Sequence, residues 1–173
     1  WLVMLSPLAI VFAMSFGANR FSTGTLQMLF WGFAILMGMS LSTIFLVYTG
    51  GSIAATFFAT AGAFAGLSLF GYTTKKDLSG MGSFLIMGVI GLIIASVINI
   101  FVQSTALMWA VSFLGVLIFA GLTAYDTQRL KMQYYQLAGT EFMGKAVVLG
   151  ALSLYLDFIN MFQFLLAFMG QRE

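Results

Sequence analysis

The chain has 173 residues, of which 61% are hydrophobic and 7% charged, with a mean hydropathy of +1.05. Soluble chains carry roughly 25% charged residues. Seven basic and five acidic side chains do not clothe a water-soluble particle of this size, so the apolar excess faces lipid and the chain is a polytopic membrane protein. The absence of Cys and His excludes thiol catalysis, a Ser–His–Asp triad and the usual zinc sites. A net charge of +2 built from so few groups argues against nucleic acid as a partner.

Six apolar stretches, each near the length of about 20 residues that crosses a bilayer as a helix, follow one another at 1–17, 26–48, 52–72, 81–102, 105–125 and 146–169. Strand-type alternation is absent, and a helix satisfies every backbone N–H within its own segment. An all-α transmembrane bundle in a single domain, 1–173, is therefore expected. Pro7, the one proline, falls inside the first stretch, where it is expected to kink the helix unless a neighbour compensates. In the third stretch Gly51, Ala55, Ala59, Ala63 and Gly66 recur mostly four apart, a spacing that predicts a close-packing face. Asp77 or Ser79 is placed to cap the fourth stretch and Thr140 to cap a lead-in to the sixth. Residues 127–145 form the longest polar connection and are expected to be a cytoplasmic loop with an interfacial turn.

The connections alternate in charge. Those after the first, third and fifth stretches hold Arg20, then Lys75, Lys76 and Asp77, then Arg129, Lys131, Glu141 and Lys145. Those after the second and fourth hold none. Six of the seven basic residues thus share one side, Arg172 being the exception, and the positive-inside rule makes that side cytoplasmic. Trp1 and Glu173 are then both outside. A cytoplasmic N-terminus would need one further helix upstream, seven in all.

Two acids lie within or against the apolar spans, Asp126 and Asp157. Asp157 stands about eleven residues into the last stretch, roughly 16 Å along a helix and close to mid-membrane. A carboxylate there must be protonated, paired or wetted. Ser153, Asp157 and Asn160 form one polar stripe on an otherwise apolar helix. Asp126 ends the fifth stretch with Arg129 one turn on, so an interfacial i, i+3 ion pair and a functional acid both fit. Of the other polar residues in the spans, hydroxyls such as Thr56, Thr60, Ser112 and Thr123 are expected to bond the carbonyl one turn back. Asn99 is the expected cross-helix contact, while Gln103, Tyr125 and Tyr155 complete the polar set.

The segments Ala151-Leu152-Ser153-Leu154-Tyr155-Leu156-Asp157-Phe158-Ile159-Asn160-Met161-Phe162, Thr123-Ala124-Tyr125-Asp126-Thr127-Gln128-Arg129-Leu130-Lys131 and Thr74-Lys75-Lys76-Asp77-Leu78-Ser79 closely resemble the transmembrane Bax inhibitor motif family in its bacterial branch. The resemblance covers essentially the whole chain. It implies a seven-helix bundle with the last helix central, in a bacterial inner membrane. It further implies a calcium leak controlled by pH through an aspartate pair, here Asp126 and Asp157, which would also be the Ca²⁺ ligands. By the same resemblance Arg20 is the candidate latch, and Ser153, Asn160, Tyr125 and Tyr155 are supporting polar residues. No acid precedes Asp77, whereas some relatives carry intramembrane acids on earlier helices.

Two carboxylates held together in a low-dielectric site do not both ionise cheaply, so such a pair shares a proton and titrates as a unit. Losing the proton leaves two anions that repel, attract a basic latch or bind Ca²⁺ through oxygen. A pH-sensitive calcium leak channel or cation transporter is the expected function, with lipid, Ca²⁺ and protons as partners and no cofactor. A proton-coupled exchanger is a weaker variant. The competing expectation is a non-transporting regulator that binds another membrane protein such as a quality-control protease. An intramembrane aspartyl protease has the right number of acids but the wrong motifs around them, so no enzyme is expected.

Overall fold

The structure, a computed structural model, describes residues 2–17, 20–140 and 142–170. Trp1, Glu141, Arg172 and Glu173, which enter the topology argument, lie outside the described residues, as does the side chain of Pro7. Seven α-helices run in chain order among the described residues: α1 (Leu2–Phe16), α2 (Thr23–Leu41), α3 (Ile44–Val47), α4 (Gly50–Thr73), α5 (Ser79–Val102), α6 (Thr105–Leu137) and α7 (Met143–Met169). Among the described residues five spans are long and apolar enough to cross a membrane, with α2 and α3 counting as one, Thr23–Val47. The first stretch, expected to be a sixth span, is the 15-residue α1, about 22 Å long at 1.5 Å per residue.

Hydroxyls punctuate the helices. Ser22, Thr49 and Ser104 each precede an apolar run and accept the N–H three residues on, from Thr25, Ser52 and Leu107, as N-caps do. The second stretch is not one continuous helix. It breaks at Ser42 and Thr43, whose hydroxyls donate back to the carbonyls of Met39 and Ser40, a local alternative to the helical ladder. Gln103 takes a left-handed conformation (φ 55°) between α5 and α6. There Asn99 Oδ1 accepts from the Ser104 N–H at 2.8 Å, so Asn99 closes a turn rather than bridging to another helix. Thr140 likewise donates to Leu137 O and finishes α6 instead of capping α7. Asp77 does receive the Ser79 N–H at the start of α5.

The loop expected over 127–145 is largely helix. α6 runs on to Leu137 for 33 residues, about 50 Å and well beyond the roughly 30 Å hydrocarbon core. Hydropathy falls after Tyr125, but Gln, Arg, Leu, Lys and Met are strong helix formers and no Gly occurs before Gly139, whose φ is +82°.

α6 packs against α4, α5 and α7, while α7 also packs on α2 and α4, and α1 on α2. α7 joins the two apolar clusters. Its Met161 belongs with Leu85, Leu92, Val111, Phe119 and Leu122, and its Val148 and Leu152 with Met14, Leu26 and Phe33. The bundle is therefore organised around α6 and α7. Close approach depends on particular glycines: a Cβ on Gly71 would strike the Ala124 backbone, and one on Gly82 the Tyr125 ring. The small-residue face expected to be packed is not. Ala55, Ala59, Ala63 and Gly66 are exposed, a Cβ added to Gly51 or Gly66 would meet no neighbouring element, and the buried face of α4 is that of Thr56, Thr60 and Gly71.

The basic connections meet at one end. Gln128 of α6 donates to Lys76 O, Lys131 donates to Tyr72 O, and a Cβ on Gly144 would touch Thr23. At the opposite end Gly170 lies against the Tyr48 ring.

Candidate functional site: a buried pair of acids

α6 and α7 pack side by side, and each contributes one buried acid: Asp126 is 8% exposed and Asp157 5%. Arg129, one turn beyond Asp126 on the same helix, donates from Nη2 to Asp126 Oδ1 at 3.2 Å. The same nitrogen reaches across to Ser153 Oγ at 3.4 Å, and Ser153 donates to Leu149 O one turn back. Asp157 follows Ser153 by one helical turn. Its carboxyl lies near that of Asp126 and near the Arg129 guanidinium. Asp157 Oδ2 is fully buried and has no hydrogen-bond partner among the described residues. Such an oxygen is costly to leave unpaired in a dry interior.

The surroundings are apolar. Phe158, next to Asp157, makes edge contacts with Phe57 and Phe64 of α4 at 5.7 and 5.4 Å. Met161 and Phe162 are buried one turn along α7, and Phe119 of α6 stacks on Phe164 at 5.8 Å. The hydroxyls of Thr60, Thr123 and Thr127 bond the carbonyl four residues back, as expected of Thr in a membrane helix. The buried Thr56 hydroxyl, expected to do the same, has no partner among the described residues.

Asp126, Asp157 and Ser153 are brought together; the other expected site residues are not. Arg20 is exposed in the connection between α1 and α2, and the guanidinium at the pair belongs to Arg129. For Asp126 the i, i+3 ion pair with Arg129 is present, and its carboxyl also lies near that of Asp157. Tyr125 lies against Gly82 of α5 and Tyr155 packs edge-on between Phe30 and Phe33 of α2. Each helical residue turns the side chain by about 100°, so a residue one or two places from a site acid points elsewhere. Asn160 lines a separate cavity of about 320 Å³ with Ser96, Phe119 and Phe164. The donor set for a cation is two carboxylates, and no group of three or more His, Cys, Asp or Glu occurs among the described residues.

The family model described as Inhibitor of apoptosis-promoting Bax1 matches residues 1–173, the entire chain. The chain belongs to the Bax inhibitor family. Bacterial relatives extend the match. An uncharacterized protein of Caulobacter vibrioides is 57% identical over 169 residues, 97% of this chain and 68% of its own length. The inner membrane protein YbhL of Escherichia coli is 49% identical over 173 residues, 99% of this chain and 74% of its own length. An uncharacterized protein of Rickettsia prowazekii is 48% identical, covering 99% and 73%. The acid pair therefore sits in a family member with an all-α membrane bundle.

Proposed function

We propose that the chain is a proton-controlled leak pathway for Ca²⁺ in a bacterial inner membrane, its basic end facing the cytoplasm, and that it acts as a conduit and not as an enzyme. The observation that carries this reading is Asp157, with an unpartnered buried oxygen, facing Asp126 at the contact of α6 and α7. While the two carboxyls share a proton and Arg129 holds Asp126, the site carries no net charge and the helices stay together. When the proton leaves, two anions face one cation. The excess negative charge loosens the α6–α7 contact and attracts a divalent cation, because a small change in charge selects between two packed arrangements. Two carboxylates supply at most four of the six to eight oxygens Ca²⁺ takes, which favours transit over tight binding. Met161, Phe162 and the Phe119–Phe164 stack form an apolar barrier of the kind that closes a pore by excluding water.

The test is Ca²⁺ flux into proteoliposomes holding purified protein, measured between about pH 5 and 8. Asp157→Asn and Asp126→Asn each flatten the pH response while leaving a folded, monodisperse protein. A pH profile that neither substitution changes would remove the acid pair from the mechanism. An influx that requires an opposing proton gradient would make the protein an exchanger.

A second reading, a regulator that binds another membrane protein, is favoured by one observation. The exposed small-residue face of α4 offers a surface on which a foreign helix packs closely. That reading requires no flux from the pure protein and a co-purifying partner, such as a quality-control protease, whose binding is indifferent to Asp157→Asn.

A further inference from the structure

A cavity of about 650 Å³ opens at the basic end of the bundle, between the α4–α5 connection and the last turns of α6. Its wall carries four cationic side chains, Lys75, Lys76, Arg129 and Lys131, against one carboxylate, Asp77. Arg129 is ion-paired with Asp126, which leaves three lysines against Asp77, a balance that favours an anion over a cation. Asp77 is ionised and offsets one of these charges, which leaves the wall net positive. The Ser79 hydroxyl, and then the Ser79 N–H, hold its carboxyl below the usual carboxylate range, and both bonds run along its own loop at 2.7 and 3.0 Å.

The frame of the cavity is fixed. Gln128 clasps the loop twice, donating to Lys76 O at 2.7 Å and accepting the Leu78 N–H at 2.8 Å. Lys131 is tied to Tyr72 O at 2.7 Å and lies over the Tyr72 ring. Lys75 and Lys76 are exposed on this anchored loop, and the amides of Gln133 and Gln136 add neutral donors on the facing helix. A solvated charge run has no need of a clasped loop or of a concavity. Ammonium groups and amide donors converging on one volume match the oxygens of a phosphate, and basic pockets between membrane helices take up anionic headgroups.

We propose that this cavity is a binding site for a phosphate group, carried by an anionic lipid headgroup or by free phosphate, with Lys75 and Lys76 as its principal contacts. The proposal stands whether or not the acid pair gates an ion.

The full chain, purified in a neutral detergent, is titrated with short-chain phosphatidylglycerol, short-chain phosphatidylcholine and inorganic phosphate, with microscale thermophoresis as the readout. Phosphatidylglycerol is expected to bind at least about tenfold more tightly than phosphatidylcholine and to weaken as salt rises. The Lys75→Gln/Lys76→Gln variant is expected to lose at least about tenfold in affinity, with Lys75→Arg/Lys76→Arg restoring it. Displacement of the lipid by inorganic phosphate identifies the free anion as a ligand, and binding of lipid alone identifies the headgroup. Lys145→Gln, at a lysine outside the cavity, is the control for diffuse attraction and is expected to bind as the wild type does. Equal affinity for the two lipids with no effect of phosphate overturns the proposal, as does an unaffected double-lysine variant or an equal loss in Lys145→Gln. Melting temperatures without ligand verify that each variant is folded.

Discussion

Arg129 and Asp126 are joined by a 3.2 Å hydrogen-bonded ion pair within a single helix, yet the same guanidinium nitrogen also reaches Ser153 on the next helix at 3.4 Å. One side chain thus touches both walls of the acid site. The Asp126 side of the pair is buried, so Arg129 compensates a charge that is costly to leave alone and brings its own charge to two buried carboxyls.

If Arg129 acts through the acid, its removal and that of Asp126 are not independent. Arg129→Gln alone is expected to change proteoliposome Ca²⁺ flux at a fixed pH several-fold. In an Asp126→Asn background the same substitution is expected to change it far less. A double-mutant cycle over flux rates measures the difference, since groups acting as one network are strongly non-additive. Additive effects would assign Arg129 a role separate from the pair.

The glycines of α4 divide into two classes by what surrounds them. Gly71 is buried, and a Cβ there would strike the carbonyl oxygen of Ala124, which is backbone and cannot swing aside. Gly71→Ala is therefore expected to separate α4 from α6 and to destabilise the bundle by about 1–3 kcal/mol, the usual range for overpacking. Gly62 has nothing within 4 Å of its Cβ position, and Gly62→Ala is expected to stay within about 0.5 kcal/mol of wild type, as exposed substitutions do. Thermal unfolding in detergent compares the two directly.

Gln128 is the clasp between α6 and the loop before α5. Gln128→Ala removes the acceptor for the Leu78 N–H and the donor to Lys76 O. Stability is expected to fall by about 1–2 kcal/mol, since Leu78 is buried and its N–H loses its partner. Amide hydrogen exchange is expected to quicken over residues 74–80 and to remain unchanged at 105–120.

The architecture was legible because lipid leaves a chain few choices: runs of apolar residues, Ser and Thr at their starts, and alternating loop charge together specify a helical bundle. Asp126 and Asp157 stood out for the same reason, as the only acids in or against the apolar spans. The orientation of neighbours was not legible. Tyr125 and Tyr155 sit beside the acids in sequence but turn toward α5 and α2, and Asn160 opens to a separate cavity. Arg20 is exposed in the connection between α1 and α2, and Arg129 supplies the cation at Asp126. The extension of α6 past Tyr125 was hidden because hydropathy reports immersion in lipid, whereas a polar run of strong helix formers continues a helix outside it. The small-residue stripe of α4 had the right period for packing, but period alone does not say which face finds a neighbour.

Met161 lies one turn beyond Asp157 on α7, is 1% exposed, and packs with Leu92, Val111 and Phe119 between the acid pair and the far end of the bundle. Its truncation tests whether that packing is the barrier to ions. Met161→Ala opens a void and is expected to destabilise the fold by about 2 kcal/mol or more, as core truncations do. If the apolar layer closes the pathway, the resting Ca²⁺ flux of Met161→Ala is expected to rise several-fold at every pH, because water enters the void while the acid pair is untouched. Met161→Leu, which keeps the volume, is expected to retain the wild-type flux. Both are measured in liposomes at equal protein density, against a control of entrapped dye that reports non-specific rupture. A flux in Met161→Ala equal to that of wild type would place the closed gate at the acid pair itself.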